Sequence, residues 1–595
     1  MKQQDRQASA KSARLGFGEF TRKFALPLWP WYASGFVLLA AVNLVNLQIP
    51  QLAKIIINKL TTGADLGGVR GVALAIVGLG FLMIIIRSLS RIVIFWPGRR
   101  IESASKSYFF GRALRLTEAF FTSHGMGDLI SRLANDIAQL RAFYAFGVLQ
   151  LLNVVFLTVF AVARMASVHL LLTVCSLIPL GVMFVITRFA MPRMHTYSRE
   201  NQDALGILTN RVTEAFVNVH VIQANGATAS FAARAAEQNA AVLRTSLRLV
   251  YIRMFIFPLM TCLAGISQLV VLFYGGHEVI AGRLSVGDIL AFNVYIGLLT
   301  FPLSAMGIIL ALYQRARTAL ERLGDIDRAK PEGRLDPDLH NAPDRAPALP
   351  LLEVRRLSFR FEPVHMTPGT AAAAQTPLVL DDVSFRLMPG ERLGLFGNIG
   401  SGKSTLFNLI TRIYDPPAGT IFWRGADVRT LEPTQLRREI GYALQQAHLF
   451  SASIQANIGF GLSSEPSLAE LEEAARGAQI LAEIQAFGQG WATEIGERGL
   501  RLSGGQKQRL ALARLLIRKP PLLLLDDVLS ALDQVTEKKV LESIYALGGS
   551  LVIASHRGSA LARCDRILIL EGGRVADQGP FAVLVERYPA LDCTK

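Results

Sequence analysis

Apolar segments long enough to cross a membrane recur through the first half of the chain, and they constrain its fold more than any other feature. Roughly 20 helical residues, at about 1.5 Å each, cover the roughly 30 Å of bilayer hydrocarbon. The composition agrees, because 51% of the 595 residues are hydrophobic and only 18% are charged. The six predicted spans are Pro30 to Ile49, Gly71 to Trp96, Phe143 to Ala163, Leu170 to Met191, Leu249 to Gly275 and Asp288 to Tyr313.

The formal net charge of +16 has two interpretations that the positions of the basic residues separate. A basic chain can bind nucleic acid, but membrane proteins also accumulate Lys and Arg on their cytoplasmic side. Here the basic residues precede the first span and fill the long spacers after the second and fourth spans. We therefore predict a multi-pass protein of a bacterial-type plasma (inner) membrane, with a cytoplasmic N-terminus and no nucleic-acid partner.

Changes in composition along the chain predict four regions. The two long spacers are polar yet keep helical periodicity, so their helices are expected to continue out of the bilayer. A stretch rich in Pro, Asp and Arg follows the last span and is typical of a linker. The predicted regions are a basic cytoplasmic segment (1–23), a six-span transmembrane domain with long helix extensions (24–322), the linker (323–350) and a second domain (351–595).

The second domain opens with a phosphate-binding motif. The segment "RLGLFGNIGSGKSTLFNLI" reads as strand, glycine loop and helix, and it satisfies G-x-x-x-x-G-K-S/T. Such a loop surrounds phosphate with backbone N–H groups, while Lys403 reaches the β- and γ-phosphates and Ser404 binds Mg²⁺. The residues expected to bind ATP in this loop are Gly397, Asn398, Gly400, Ser401, Gly402, Lys403, Ser404 and Thr405.

Five further motifs occur in a fixed order around this loop. They are Phe361 in "FRF", Gln445 in "GYALQQ", "LSGGQ" at Leu502 to Gln506, the strand Leu522 to Leu525 ending in Asp526 with "SALD" at Ser530 to Asp533, and His556 in "LVIASH". With these motifs, the region from about Leu351 to Tyr588 resembles the nucleotide-binding domain of ATP-binding cassette (ABC) proteins. The first half, with "GDLISRL" at Gly127 to Leu133, is similar to the six-helix domain of ABC exporters.

The resemblance implies a fold and a set of roles. The fold is an all-α six-helix transmembrane domain followed by an α/β P-loop ATPase domain with an antiparallel β subdomain and a helical subdomain. Two cassettes in a dimer would enclose two ATP molecules, each held by the P-loop of one and the signature of the other. The implied roles are adenine stacking by Phe361, ATP contact in trans by Ser503, Gly504, Gly505 and Gln506, Mg²⁺ binding by Ser404, Gln445 and Asp526, γ-phosphate contact by His556, catalysis by Asp527, His556 and Gln445, and a D-loop at Asp533.

The resemblance also indicates how the two domains communicate. In similar exporters short coupling helices on the cytoplasmic extensions contact the cassettes. The candidates here are the stretches around His124 to Arg132 and around Glu214 to Gly226, with ordinary surface helices as the alternative. The segment "TEIGERG", Thr493 to Gly499, resembles a loop specific to exporters and favours export over import.

One residue departs from the family pattern. Asp527 stands where similar proteins usually carry the glutamate that orients the attacking water. Aspartate is one methylene shorter, and a displacement of about 1 Å in a catalytic group costs on the order of a hundredfold in rate. We expect ATP to bind here and to turn over slowly. A slow site suits one chain of a heterodimer whose partner supplies the competent site. The alternatives are a homodimer with two slow sites, or a homodimer in which backbone adjustment lets the Asp527 carboxylate reach the water.

The predicted function is ATP-driven export of an amphiphilic, lipid-like or drug-like substrate through the membrane. The alternatives are a homodimeric lipid or drug flippase and an ATP-gated channel or regulator, whereas six fused spans exclude a soluble ATPase acting on ribosomes or DNA. Polar residues in spans usually face protein or a water-filled cavity. The candidates for a substrate path are Arg87, Arg91, Arg253, Asn43, Asn46, Gln150, Asn153, Gln268 and Asn293. Hydrogen bonding between helices is the equal alternative for the amides.

Overall fold

The structure, a computed structural model, consists of two compact units, which we call the helical unit and the α/β unit. The helical unit comprises the chain up to Ala113 and Gly127–Arg328, and the α/β unit comprises Leu114–Met126 and the chain from Ala329 onward. The structure describes residues 16–61, 66–329, 331–332, 349–361, 377–496, 502–529, 532–546 and 548–591. The segment "TEIGERG" and the motif "SALD" therefore fall partly outside the described residues.

Long helices make up the first half of the chain. In order they are α1 Phe17–Phe20, α2 Trp29–Thr61, α3 Leu66–Ala113, α4 Glu118–Ser123, α5 Met126–Ser131, α6 Ile137–Ala142, α7 Val148–Val168, α8 Leu170–Val217, α9 Val219–Ala224, α10 Thr228–Ile280 and α11 Val286–Arg328. Short π-helical turns at Arg132–Asp136 and Phe143–Gly147 join α5, α6 and α7 into one nearly continuous rod. As predicted, α3 and α8 run on through the polar spacers, to Ala113 and Val217.

Five helical stretches within the described residues are long and apolar enough to cross a membrane. They are Phe17–Thr61, Val69–Ala113, Met126–Val168, Leu170–Val217 and Thr228–Ile280. The sixth predicted span lies on α11, whose apolar part, Val286–Thr300, is shorter. Side chains of α2, α7, α8, α10 and α11 share one buried cluster that includes Leu47, Leu157, Leu172, Val271 and Phe292. The six predicted spans are thus all helical, and one core holds most of them together.

An ionic network fixes the motif "GDLISRL" to the end of α11. The Arg132 side chain, 8% exposed, donates to Asp128 Oδ2 at 2.7 Å and to Asp325 Oδ2 at 3.0 Å. Arg322 pairs with Asp128 as well and donates to Asp136 Oδ1 at 3.2 Å. Since α11 continues to Arg328 within the helical unit, its end lies inside the stretch 323–350 that the sequence predicted as linker.

Two sheets form the framework of the α/β unit. A four-stranded antiparallel sheet has the order β2-β1-β4-β5, and a six-stranded sheet has the order β10-β9-β3-β8-β7-β6, parallel except for β10. The strands are β1 Leu352–Phe359, β2 Leu380–Leu387, β3 Arg392–Phe396, β4 Ile421–Trp423, β5 Ala426–Asp427, β6 Ile440–Ala443, β7 Leu522–Asp526, β8 Ser550–Ser555, β9 Arg566–Glu571 and β10 Arg574–Gly579.

Helices cover the six-stranded sheet, and its central strands are mostly apolar. Every residue of β7, "LLLLD", and of β8, "SLVIAS", is buried, as expected for strands enclosed on both faces. The helices of this half are α12 Lys403–Ile410, α13 Pro433–Glu439, α14 Ile454–Ile458, α15 Leu468–Gly477, α16 Leu481–Ala486, α17 Gly504–Leu516, α18 Gln534–Ala546, α19 Gly558–Leu561 and α20 Phe581–Arg587. The predicted fold class, helical membrane domain followed by an α/β P-loop domain, is confirmed.

Candidate nucleotide site

The P-loop, Gln445, Asp526 and His556 lie at the carboxyl ends of four neighbouring parallel strands. In the sheet β3 pairs with β8, β8 with β7, and β7 with β6. The P-loop follows β3, His556 follows β8, Asp526 ends β7, and Gln445 follows β6. Ligands of open α/β sheets bind at this edge, where loops leave the strand ends. Strand order therefore brings together residues that are more than 100 positions apart in sequence.

Two glycines of the P-loop are required by its shape. Gly402 has a φ of 101°, and a Cβ there would lie 2.7 Å from Leu380 Cδ2 and 2.9 Å from Val379 O. A Cβ on Gly397 would lie 2.3 Å from Leu570 O. Glycine alone suits both positions, because larger residues clash or adopt left-handed backbone with difficulty. The loop leads directly into α12, whose N-terminal N–H groups can bind an anion.

Lys403 lies folded over the loop it belongs to. Its Nζ donates to Gly397 O at 2.6 Å and to Asn398 O at 2.9 Å. Burial lowers the pKa of Lys403, and the carboxylates of Asp526 and Asp527 counter that shift. The ammonium group thus lies at the centre of the loop, close to both acids.

Asp526 is a buried carboxylate next to the loop. It is 3% exposed and shares hydrogen bonds with Ser404 and with the hydroxyl of Tyr442, the latter at 3.5 Å. Burial raises the pKa of Asp526, while Ser404 and Lys403 oppose the change. A hydroxyl and a carboxylate side by side are oxygen donors of the kind Mg²⁺ accepts, with phosphate and water completing its shell. Among the described residues no cluster of three or more His, Cys, Asp or Glu could hold a metal alone.

Asp527 combines an unusual backbone with a specific partner. Its φ is 50°, a left-handed conformation that aspartate adopts more readily than most residues. Its N–H donates to Ala554 O at 2.9 Å, and its Oδ1 lies 3.1 Å from Nδ1 of His556. The side chain of Asp527 is 17% exposed and that of His556 is 56% exposed. The imidazole is therefore the more exposed member of this pair.

The signature motif forms the start of α17. Ser503 Oγ accepts from Gln506 N at 3.3 Å, and Gln506 Oε1 accepts from Ser503 N at 2.9 Å, a reciprocal capping box. Gln506 Nε2 also donates to Glu483 Oε2 at 2.8 Å. In the part of the chain that the structure describes, no hydrogen bond joins Ser503 or Gln506 to the P-loop. The signature is thus a preformed helix N-terminus outside the cluster at the strand ends.

Phe361 belongs to an aromatic group that includes one residue the sequence did not single out. Its ring centroid is 5.2 Å from that of Phe359 and 5.2 Å from that of Tyr414, both edge-on. The Tyr414 hydroxyl in turn shares a hydrogen bond with Thr122 of α4, and burial together with the Glu118 carboxylate raises the pKa of Tyr414. No motif marks Tyr414, because its role depends on a segment almost 300 residues earlier in the chain.

The structure also describes Asp533 and the stretches predicted as coupling helices. Asp533 Oδ1 accepts from Val535 N at 3.1 Å and from Thr536 N at 3.0 Å, so it caps α18. These backbone N–H bonds, led by that from Thr536, lower the pKa of Asp533. In the first spacer, α4, Glu118–Ser123, precedes the predicted stretch at His124 to Arg132, and α5, Met126–Ser131, lies inside it. In the second spacer, α9, Val219–Ala224, lies inside the predicted stretch.

A P-loop, a buried acid beside its serine, and a capped signature helix on one α/β unit, fused to a helical unit with membrane-spanning helices, define an ABC-type membrane ATPase. The comparisons with known proteins agree. Residues 32–303 match the family model described as ABC transporter transmembrane region, and residues 380–530 match the one described as ABC transporter. The chain belongs to the ABC transporter family.

Relatives span nearly the whole chain. An ATP-dependent lipid A-core flippase of Thiobacillus denitrificans is 31% identical over 97% of both chains. A probable multidrug resistance ABC transporter ATP-binding/permease protein, YheI of Bacillus subtilis, is 29% identical over 93% of this chain and 92% of its own. A solved structure of a bacterial Atm1-family ABC exporter with ATP bound has a TM-score of 0.79 and 25% identity, over 94% of this chain and 97% of that one.

Proposed function

We propose that this chain is one half of a dimeric exporter that uses ATP to move an amphiphilic, lipid-like or drug-like substrate across the bacterial inner membrane. The observation that carries the proposal is the fusion of membrane-spanning helices with the ordered set of ABC nucleotide motifs in one chain. Relatives named as a multidrug resistance transporter and a lipid A-core flippase support this substrate class. The basic spacers support a cytoplasmic location for the N-terminus and the ATPase domain.

In this proposal the strand-end cluster binds the phosphates of ATP. Gly397 to Thr405 enclose them, Lys403 leaves its carbonyl partners for the β- and γ-phosphates, and Phe361 stacks on adenine. Ser404, Asp526 and Gln445 would hold Mg²⁺, which when bound neutralises charge on the phosphate oxygens. Burial around Asp526 strengthens its interaction with a cation, since the local dielectric is low. His556, hydrogen-bonded to Asp527, contacts the γ-phosphate.

The signature serves the other chain of the dimer. Ser503 to Gln506 lie at a helix N-terminus whose positive end favours phosphate, and Ser503 and Gly504 are exposed there. They have no hydrogen bonds to the P-loop of their own chain among the described residues, which suits a contact made in trans. This chain would therefore complete the ATP site on its partner's P-loop.

We further propose that the partner is a different ABC half-transporter that carries the usual glutamate. Asp527 is short, and its carboxylate is already engaged by His556 at 3.1 Å. Its own site would then bind ATP and hydrolyse it slowly, while the partner's site turns over at full rate.

Two substitutions test the heterodimer. Ser503→Arg blocks the signature that serves the partner's fast site, and Asp527→Asn removes only the acid of the slow site. We expect steady-state ATPase activity of the reconstituted pair to fall much further with Ser503→Arg than with Asp527→Asn. Near-complete loss in both variants would contradict the heterodimer and indicate a homodimer.

Export itself is tested by uptake into sealed vesicles. The chain and its candidate partner, reconstituted with the cassettes outside, should accumulate a dansyl-labelled decyl phosphate or decyl maltoside against its gradient only with ATP. Lys403→Ala in this chain, combined with the P-loop Lys→Ala change in the partner, is the control that removes nucleotide binding. If the substrate moves only down its concentration gradient, even with ATP present, the protein is a channel and the proposal is overturned.

A further inference from the structure

A polar cavity lies inside the helical unit, within the region of the predicted spans. It has a volume of about 300 Å³ and is lined by residues of α2, α3, α7 and α11. The polar side chains on its wall are Asn43, Asn46, Arg87, Ser90, Arg91, Gln150 and Asn153, and the Ser90 hydroxyl donates to Arg87 O. Six of the nine span residues that the sequence marked as candidates for a substrate path therefore meet in one place.

Two arginines give this cavity its charge. Arg87 and Arg91 lie one helical turn apart on α3, at a spacing where like charges repel each other. No carboxylate lines the cavity in the described part of the chain. The Arg87 guanidinium has only the thioether of Met83, at 3.6 Å, and no hydrogen bond or ion pair to Arg91 is found among the described residues. Charged groups at membrane depth are costly unless paired, so this wall is suited to an anion.

The amides of the cavity fall into two classes. Asn43 donates to Asn153 Oδ1 at 3.2 Å and to Leu39 O at 2.9 Å, so this pair links α2 to α7. Asn46 and Gln150 have no such bonds within the described residues. Hydrogen bonding between helices, the alternative role of these amides, therefore applies to Asn43 and Asn153. Asn46 and Gln150 remain available to a ligand beside the arginines.

We infer that this cavity binds the acidic headgroup of an anionic amphiphile, a phosphate or carboxylate joined to an apolar tail. The inference rests on the proposed export function and specifies its substrate class. Guanidinium groups recognise such oxygens through paired N–H donors. The apolar side chains of Leu39, Val42, Leu149 and Leu157 line the same cavity and provide the surface for the first methylenes of a tail.

The test measures binding of radiolabelled decyl phosphate to the transporter pair in lipid nanodiscs without ATP. Decyl maltoside, decyltrimethylammonium and inorganic phosphate are the comparison ligands. We expect Arg87→Gln and Arg91→Gln each to weaken decyl phosphate binding by about tenfold, the equivalent of one hydrogen bond to a charged group. Maltoside affinity should stay unchanged, which also shows that the variants are folded.

Two further variants make the result specific. Arg248→Gln removes an arginine of α10 that does not line the cavity and should leave decyl phosphate affinity at the wild-type value. The double variant Arg87→Lys with Arg91→Lys keeps the charge without the planar fork and should retain part of the affinity.

Three results would overturn the inference. They are unchanged decyl phosphate affinity in Arg87→Gln with Arg91→Gln, an equal loss for all decyl ligands in that double variant, and wild-type binding of inorganic phosphate as tight as that of decyl phosphate. Failure of the proposed function looks different, because the wild-type pair would then show no ATP-dependent uptake of any amphiphile, whatever its charge.

Discussion

The Oδ1 atom of Asp527 lies 3.1 Å from Nδ1 of His556, across the ends of two adjacent strands, β7 and β8. The short acid is therefore bound to the residue expected to contact the γ-phosphate. A hydrogen bond from Nδ1–H to the carboxylate would orient the imidazole ring and leave Nε2 for a second partner. Such a bond would let aspartate at this position orient the histidine, whatever its own reach toward water.

Asp527→Glu should raise ATP hydrolysis at this P-loop by about 10- to 100-fold, because the added methylene restores the reach of the carboxylate. We also expect a modest loss of thermal stability, since glutamate adopts the left-handed backbone of this position less readily. The measurement is a single-turnover rate with the partner's own glutamate changed to Gln. An unchanged rate with ATP still bound would place the defect in the partner's signature or in dimer closure.

Lys403→Ala should abolish high-affinity ATP binding at this site, because the lysine supplies the positive charge at the centre of the P-loop. Photolabelling of this cassette with an azido-ATP analogue reads out the effect. Lys507→Ala, a change of the same kind on α17, is the matched control and should keep the label. Full labelling of the Lys403 variant would refute the assignment of the loop.

Tyr414→Phe should reduce stimulation of ATPase activity by transported substrate, with little change in ATP affinity. The variant keeps the ring beside Phe361 and loses only the hydrogen bond to Thr122, worth about 1 kcal/mol or fivefold. Thr122→Val should give the same loss, and the double variant should lose no more than either single change. Additive losses would show that the two residues act separately.

Asp128→Asn should lower the thermal stability of the transporter, because Asp128 pairs with both Arg132 and Arg322. Its side chain is 38% exposed, so we expect a cost of only about 1 kcal/mol. Arg211→Gln, in an exposed pair with Glu214 on one helix, is the control and should leave the melting temperature unchanged. Equal changes of the melting temperature in the two variants would show that the network stabilises the protein no more than an exposed ion pair does.

Local sequence sufficed for much of the fold. The P-loop, the capped signature and the strand ends at Asp526 and His556 are each set by a short run of residues, so pattern and propensity predict them. The helical periodicity of the spacers likewise predicted the extensions of α3 and α8.

Local sequence patterns could not predict contacts between distant segments of the chain. Tyr414 meets Thr122, and Arg322 meets Asp128, only because the chain folds back on itself. The sequence predicted a linker from residue 323, before the end of α11, because the composition around Asp325 and Arg328 is typical of a linker. In the structure Asp325 forms an ion pair with Arg132. The positive φ of Asp527 also had no sequence signal, since aspartate is common in ordinary backbone as well.

The α/β unit is not one continuous piece of chain, and this affects how it can be taken apart. Leu114–Met126, with helix α4, belongs to it, and Leu116 forms a β-bridge with Pro331. A fragment that begins after α11 would lack α4 and would leave the hydroxyl of Tyr414 without Thr122. Such an isolated cassette should refold with an incomplete surface on that side, and soluble fragments used for inhibitor screening or crystallisation would need this helix supplied as a tethered peptide.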